Sequence, residues 1–261
     1  MGSLTVVTAV LPARAQFLAQ AASSVAAARQ LGSAAGWQIR WSVTVDGPGD
    51  VPTVHPDHLV RLAARRGVST ARNAALIGAD TDWALPLDAD DILDLDGLPG
   101  LLGVLDTVGE DIGWVSANRL LMTGQRTPHW RDQPRRWQVG ELAASWVAPF
   151  PFHPNSIIAR AGLVLGCGGW PAVPANEDLA LCLLLAEASA GLSVVEVLHR
   201  YRTWPDQEVA AASYGQDKQT AFALIEAVIN AVRHRHARPA VTAPVPGPAY
   251  GRIPSSAPNL L

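Results

Sequence analysis

The sequence predicts an α/β fold, a mixed but mostly parallel sheet flanked by helices. Three observations predict it. Short apolar runs alternate with helix-spaced segments through the first half of the chain. Acidic residues gather where those runs end. A length of 261 residues, 49% hydrophobic and 16% charged, suffices for one sizeable core.

The elements follow in order. "LTVVTAV" (4–10) reads as a buried strand and "AQFLAQAASSVAAARQ" (15–30) as a helix. "IRWSVTVDG" (39–47) is a second strand running into a turn, and 59–62 is a short extended piece. "GVSTARNAALIGA" (67–79) opens with a turn glycine and a Ser69 or Thr70 cap, then continues as a helix. "DWALPLDAD" (82–90) is the next strand. In the second half, 112–122 is a strand, 124–137 a polar loop rich in Arg and Trp, and 155–170 a strand followed by a glycine-rich bend. "NEDLALCLLLAEA" (176–188) is a capped helix, "LSVVEVLHRYRT" a strand and "QDKQTAFALIEAVINAVRHR" a closing amphipathic helix. The Pro/Ala-rich stretch 239–261 is expected to be an extended or disordered tail.

Bulk properties exclude several classes. A net charge of −3 argues against nucleic-acid binding by bulk electrostatics. Two cysteines, Cys167 and Cys182, are too few for a disulfide framework or zinc knuckle, which fits a reducing, cytoplasmic setting. The N-terminal apolar run is too short for a signal sequence, and no run reaches transmembrane length.

Ligands of parallel α/β sheets sit at the carboxyl ends of strands, and Asp46 and the Asp88, Asp90, Asp91 cluster both lie there. Like charges this close stay ionised together only with positive charge among them. On an extended segment Asp88 and Asp90 share a face while Asp91 turns away. Hard divalent cations take one or two such oxygens and complete their shell with phosphate and water; an acidic turn with capping duties is the plain alternative. Arg72 stands in the first turn of its helix, where a phosphate or base edge is favoured, although the segment standing alone reads first as a surface arginine on an amphipathic helix. Asp46 is placed to accept a base N–H or to close an Asx-turn. In "GGWPAVPANEDLAL", Trp170 offers a flat face, Asn176 a helix cap, and Glu177 or Asp178 a general base.

Taken in order, "VDG", "RGVSTARNAAL", "LDADD", "GGW" and "NED" resemble family 2 of the glycosyltransferases, whose pieces read roughly "DDGS", "GxxxARN", "DxDD" and "GGF…ED". The resemblance spans Leu4 to about Gln207. It implies a GT-A-type, Rossmann-like fold, with a nucleotide-sugar-binding half (1–122) and an acceptor-binding, catalytic half (123–238) ahead of the tail (239–261). It implies an inverting transferase using a nucleotide-diphospho-sugar, most simply a UDP-sugar, and Mn²⁺ or Mg²⁺, on a small-molecule, peptide or glycan acceptor. Asp46, Arg72, Asp88, Thr8 and Ala9 would then hold the nucleotide. Asp90, Asp91 and His199 would serve the metal, Asp178 with Glu177 the acceptor proton, and Trp170 with Asn176 the sugar or acceptor. Trp130, Trp137 and Trp146 join Trp170 as candidate pocket aromatics or as core. The chain departs from the family at Val45, at Pro12–Ala13–Arg14 and at Trp204, which stands where a "YRxH" histidine is expected; His199 or Arg202 is left to substitute. A sugar-nucleotide nucleotidyltransferase or an inactive nucleotide-binding relative are the competing expectations. The first lacks its glycine- and lysine-containing phosphate loop in "TAVLPARAQF".

Overall fold

The β-branched run that opens the chain forms β1 (Ser3–Val10), almost wholly buried, as a central parallel strand must be. It is seen in a computed structural model that describes residues 1–146, 150–204, 207 and 214–245. β1 is paired in parallel by β2 (Gln38–Val45) on one side and β4 (Trp83–Pro86) on the other; β3 (His58–Arg61) adds to β2, also in parallel. Among the described residues the remaining strands are β5 (Ile92–Leu93), β6 (Ile112–Leu121), β7 (Arg135–Trp137), β8 (Ile157–Arg160) and β9 (Ala190–Tyr201). The sheet order is β3-β2-β1-β4-β8-β6-β9-β5, with β7 on β9, and β8 runs antiparallel to both β4 and β6. The sheet is therefore mixed and continuous across both halves of the sequence.

Alternation along β1 divides the core. Leu4, Val6 and Val10 face the cluster covered by α1 (Leu18–Ala34) and α3 (Leu98–Thr107), while Val7 faces the opposite one. That second cluster packs under α2 (Val68–Ile77), α4 (Glu141–Ala144), α5 (Ala161–Gly166), α6 (Glu177–Ala188) and α7 (Tyr214–Arg235). Trp137, Trp146 and Trp170 belong to it, so these three are core aromatics and only Trp130 is half-exposed.

Several elements differ from expectation for local reasons. The first helix starts at Leu18, because a 3₁₀ segment (Pro12–Phe17) with non-helical angles at Arg14 precedes it. Neither Ser69 nor Thr70 caps α2; Gly67, at φ 91°, holds the cap position without a side-chain bond. The "GLVLGCGGW" segment is helical over Ala161–Gly166 before its glycine bend. The start of the Pro/Ala-rich segment is ordered: Asn230 exchanges two bonds with the backbone of Val241, Glu226 accepts from Ala243 N, and Arg233 donates to Pro239 O. The rest of that segment, 246–261, lies outside the described residues. No described helix is long and apolar enough to cross a membrane.

Candidate active site

β4 ends at Pro86, one residue before Leu87 N bonds Val7 O; the acidic group beyond it is a turn closed by Asp91 N on Asp88 O at 3.1 Å. This corrects the extended geometry expected for 88–90, and the turn sends the three carboxylates in different directions. Asp88 accepts from Arg72 Nη2 (2.6 Å) and Asn155 Nδ2 (2.9 Å). Asp90 accepts from the Trp204 indole N–H (2.7 Å), and Asp91 points inward to Arg202 N (2.9 Å).

Arg72 joins the parts. It is the fifth residue of α2 rather than a first-turn residue, and it is 3% exposed. One amino group meets Asp88 and the other meets Glu177 Oε1 at 2.5 Å, so residues far apart in sequence share one buried guanidinium. Burial alone would lower its pKa, but the charges of Asp88, Glu177 and Asp178 outweigh that and raise it. The segment before α2 is anchored by Asp46, whose two oxygens accept from Arg66 N (2.6 Å) and Gly67 N (2.9 Å). The Asx-turn alternative thus takes a longer-range form, in which Asp46 ties the end of β2 to the entry of α2.

Asn73, next to Arg72, locks in the glycine bend. Its amide donates to Trp170 O (3.0 Å) and accepts from Trp170 N (2.8 Å). Trp170 is 2% exposed, with the Arg72 guanidinium 5.9 Å from its ring centroid. It is a seat for Arg72 and offers no open face for stacking, which corrects its expected role. Gly169 makes the bend possible: its φ is 74°, and a Cβ there would stand 2.1 Å from Asn73 Oδ1. Gly169→Ala is therefore expected to cost about 2–3 kcal/mol, from left-handed strain and displacement of Asn73. Urea denaturation reads this, and a loss within 0.5 kcal/mol would show that the bend tolerates a side chain.

α6 supplies the other acids. Asn176 occupies its N-cap position in the left-handed region (φ 60°), but makes no side-chain cap bond, so the expected cap is positional only. Asp178 Oδ1 accepts from Leu179 N at 2.8 Å. Burial, then the neighbouring Glu177 charge, push Asp178 up to about 7 against the opposing pull of Arg72. An acid half-ionised near neutrality is suited to accept a proton.

The expected metal set divides. Asp91 and His199 are each 1% exposed, with His199 Nε2 3.6 Å from Asp91 Oδ2 and neither of these atoms hydrogen-bonded. Burial, then Arg119, push His199 down to about 3, so the imidazole is neutral. Among the described residues no three His, Cys, Asp or Glu side chains are grouped to hold an ion. Asp91 and His199 therefore form an inner pair beneath the turn, not the outer ligand set expected of them with Asp90. Asp90 is the carboxylate that could take a cation: burial and then Asp88 raise its pKa, despite the Trp204 bond, and added positive charge would relieve it. One carboxylate plus diphosphate oxygens and water is a usual shell for Mg²⁺ or Mn²⁺.

Thr8 is buried, and its hydroxyl accepts from the Trp41 indole at 3.0 Å, so the side chain faces the core rather than a ligand; Ala9 is half-buried near the end of β1. Sequence reasoning did not single out Asn73, Asn155, Arg119 or the bonds of Trp204. Asn73 was present in the quoted "ARN"; Asn155 carried no motif signal. Arg202 lies across the turn, donating from Nε to Asp90 O and from Nη2 to Gln20, with its guanidinium 4.1 Å from the Phe17 ring centroid.

Residues 55–163 match the family model described as glycosyl transferase family 2, a span that holds Arg72, Asp88–Asp91 and Asn155. No curated protein matches the chain in sequence. Among solved structures, S. aureus TarS 1–349 in complex with UDP-GlcNAc is similar at TM-score 0.62 and 12% identity, over 90% of this chain and 72% of that one. The longer S. aureus TarS chain is similar at TM-score 0.58 and 13% identity, over 90% of this chain and 43% of that one. The Pyrobaculum calidifontis mannosyltransferase PcManGT, in complex with GDP-Man and Mn²⁺, gives TM-score 0.54 and 18% identity, over 85% and 63%. A segment of 109 residues that matches the family 2 glycosyltransferase model is thus set in a sheet with the GT-A fold of these structures.

Proposed function

We propose that the chain is a metal-assisted, inverting transferase that moves a sugar from a nucleotide-diphospho-sugar, most simply a UDP-sugar, to an acceptor hydroxyl. The observation that carries this reading is the Arg72 bridge, which draws the "ARN", "DAD" and "NED" segments into one site at the sheet's carboxyl edge. The solved relatives bound to UDP-GlcNAc or to GDP-Man and Mn²⁺ support the donor class and the ion.

Asp90 would hold the ion together with the diphosphate, and the ion would stabilise charge on the leaving group. Asp88, steadied by Arg72 and Asn155, faces the ribose. Asp46 acts through the loop it pins, which borders the base. The acceptor oxygen attacks the anomeric carbon as the carbon–oxygen bond to diphosphate breaks. Asp178 takes the hydroxyl proton, and the nucleoside diphosphate leaves. One displacement inverts the centre, and no protein nucleophile is required. Asp178 is near enough to neutral pKa to receive that proton late in the step. Two free cysteines suit a reducing, cytoplasmic setting for such a donor.

Thermal shift with UDP-, GDP- and dTDP-sugars tests the reading. A true donor at a hundredfold its Kd, with Mn²⁺, is expected to raise Tm by about 5–10 °C. Asp90→Asn is expected to keep part of the nucleotide shift and lose the increment that Mn²⁺ adds. No shift with any nucleotide sugar, with or without the ion, would end the proposal.

A further inference from the structure

We infer that Arg119 seats a second anion-binding subsite beside the donor site, one that takes a carboxylate or phosphate carried by a substrate. The subsite builds on the nucleotide-sugar reading and adds to it the chemistry of what the second pocket recognises.

Arg119 is 5% exposed, yet its Nε and Nη1 have no hydrogen-bond partner. A buried guanidinium without bonded partners is costly, and native structures keep such groups where a ligand completes them. The other two arginines of the site are engaged: Arg72 by Asp88 and Glu177, Arg202 by Asp90 O and Gln20. Arg119 instead lies over a ring face, its guanidinium carbon 4.1 Å from the Tyr201 ring centroid.

Its placement is built into the sheet. Asn118 pairs with Val197 but Arg119 with His199, so β9 carries one extra residue at this step. Such bulges re-aim side chains beside functional sites. Here the bulge puts Arg119 in electrostatic reach of Asp91, Asp178 and Asp88. Apart from those carboxylates, the wall nearest Arg119 carries histidine and tyrosine rings. The His153 ring lies 6.2 Å from Tyr201 and 6.1 Å from His129, and burial, then Arg119, hold His153 well below its usual pKa. His153 Nδ1 and both ring nitrogens of His199 are also unpartnered. Imidazole N–H groups beside the two open donors of Arg119 supply further hydrogen bonds for an anion, which has to outcompete the more distant carboxylates for the guanidinium. Two residues beyond His153, Asn155 holds Asp88, so this wall is continuous with the proposed donor site.

Isothermal titration on the full chain, wild type against Arg119→Gln and Arg119→Lys, tests the inference. Inorganic phosphate and malonate are titrated with UDP and Mn²⁺ present and again without them; UDP-glucuronate is compared with UDP-glucose. If the anion belongs to the acceptor, phosphate or malonate binds the UDP-loaded wild type, and Arg119→Gln weakens it at least tenfold. If it belongs to the donor sugar, UDP-glucuronate outbinds UDP-glucose at least tenfold, and only while Arg119 is present. Arg119→Lys, with its charge but not its fork, falls between. Removing an unpaired buried charge should leave Tm unchanged or raise it by a few degrees. A Tm loss of about 10 °C or more would make Arg119 the structural counter-ion of Asp91 and overturn the subsite. So would anion binding that Arg119→Gln leaves intact, or its absence from the wild type. Failure of UDP to bind counts against the donor reading alone, because the titrations without UDP still decide on Arg119.

Discussion

Arg72→Met is expected to lower unfolding stability by about 3 kcal/mol or more, and Tm by about 10 °C, while abolishing donor binding. The side chain is 4% exposed and bonds Asp88 on one side and Glu177 on the other; their side chains are 38% and 13% exposed. Removing the cation leaves Glu177 confined beside Asp178 with no compensating charge. Breaking one partner out of a buried charge group costs about 3–5 kcal/mol, and the lower end applies because Asp88 can rehydrate. Arg72→Lys is no rescue, since one ammonium cannot meet both carboxylates in the forked geometry. Arg72→Met/Glu177→Gln should recover part of the stability by removing the stranded charge, but not the nucleotide binding. Guanidinium denaturation and UDP titration read the two effects separately. A stable Arg72→Met protein that still binds UDP would mean that the bridge organises nothing.

That bridge also marks where reading the sequence reached its limit. Strands β1, β2 and β4 were legible because central parallel strands must be apolar on both faces, and the acids had to fall at their carboxyl ends. Arg72 was legible as a motif residue, but its partners lie 16 and 105 residues away, a choice only tertiary structure makes. The turn at 88–91 was misjudged as strand because nothing local separates "LPL" from "DAD" until Leu87 has paired with Val7. β7 was invisible inside a loop of Arg and Trp: its three residues gain strand character from β9, and its buried Trp137 donates to Ser193 on that strand at 2.8 Å. α3 is legible only as a helix near Asp94, without bounds, because Pro99, Gly100 and Gly103 depress helix propensity; Leu98, Leu101, Leu102 and Leu105 fold it by burial. The position of Arg119 depends on a register shift between two strands far apart in sequence, which no single-chain pattern records.

Asp178→Asn is expected to lower kcat by about 10²–10⁴ with little change in donor affinity, the range for removing a positioned general base. The wild-type rate should rise with pH through about 7 and then level, because the carboxylate must be ionised to accept the acceptor's proton, and burial with Glu177 holds Asp178 up to about 7. The variant should lose that inflection. Stability should move the opposite way. A carboxyl whose folded pKa lies above its unfolded value holds its proton more tightly when folded, so wild-type stability falls as pH rises from about 4 to about 7. Above that window the ionised, desolvated acid is a standing cost that asparagine lacks. Asp178→Asn is thus expected to be more stable than wild type at pH 8, by about 1 kcal/mol or more, and no more stable below pH 4. The paired outcome separates chemistry from architecture. A structural Asp178 would lose rate and stability together, whereas a proton acceptor held at raised pKa loses the first and gains the second. A variant that kept the wild-type pH–rate profile would transfer the role away from Asp178 altogether.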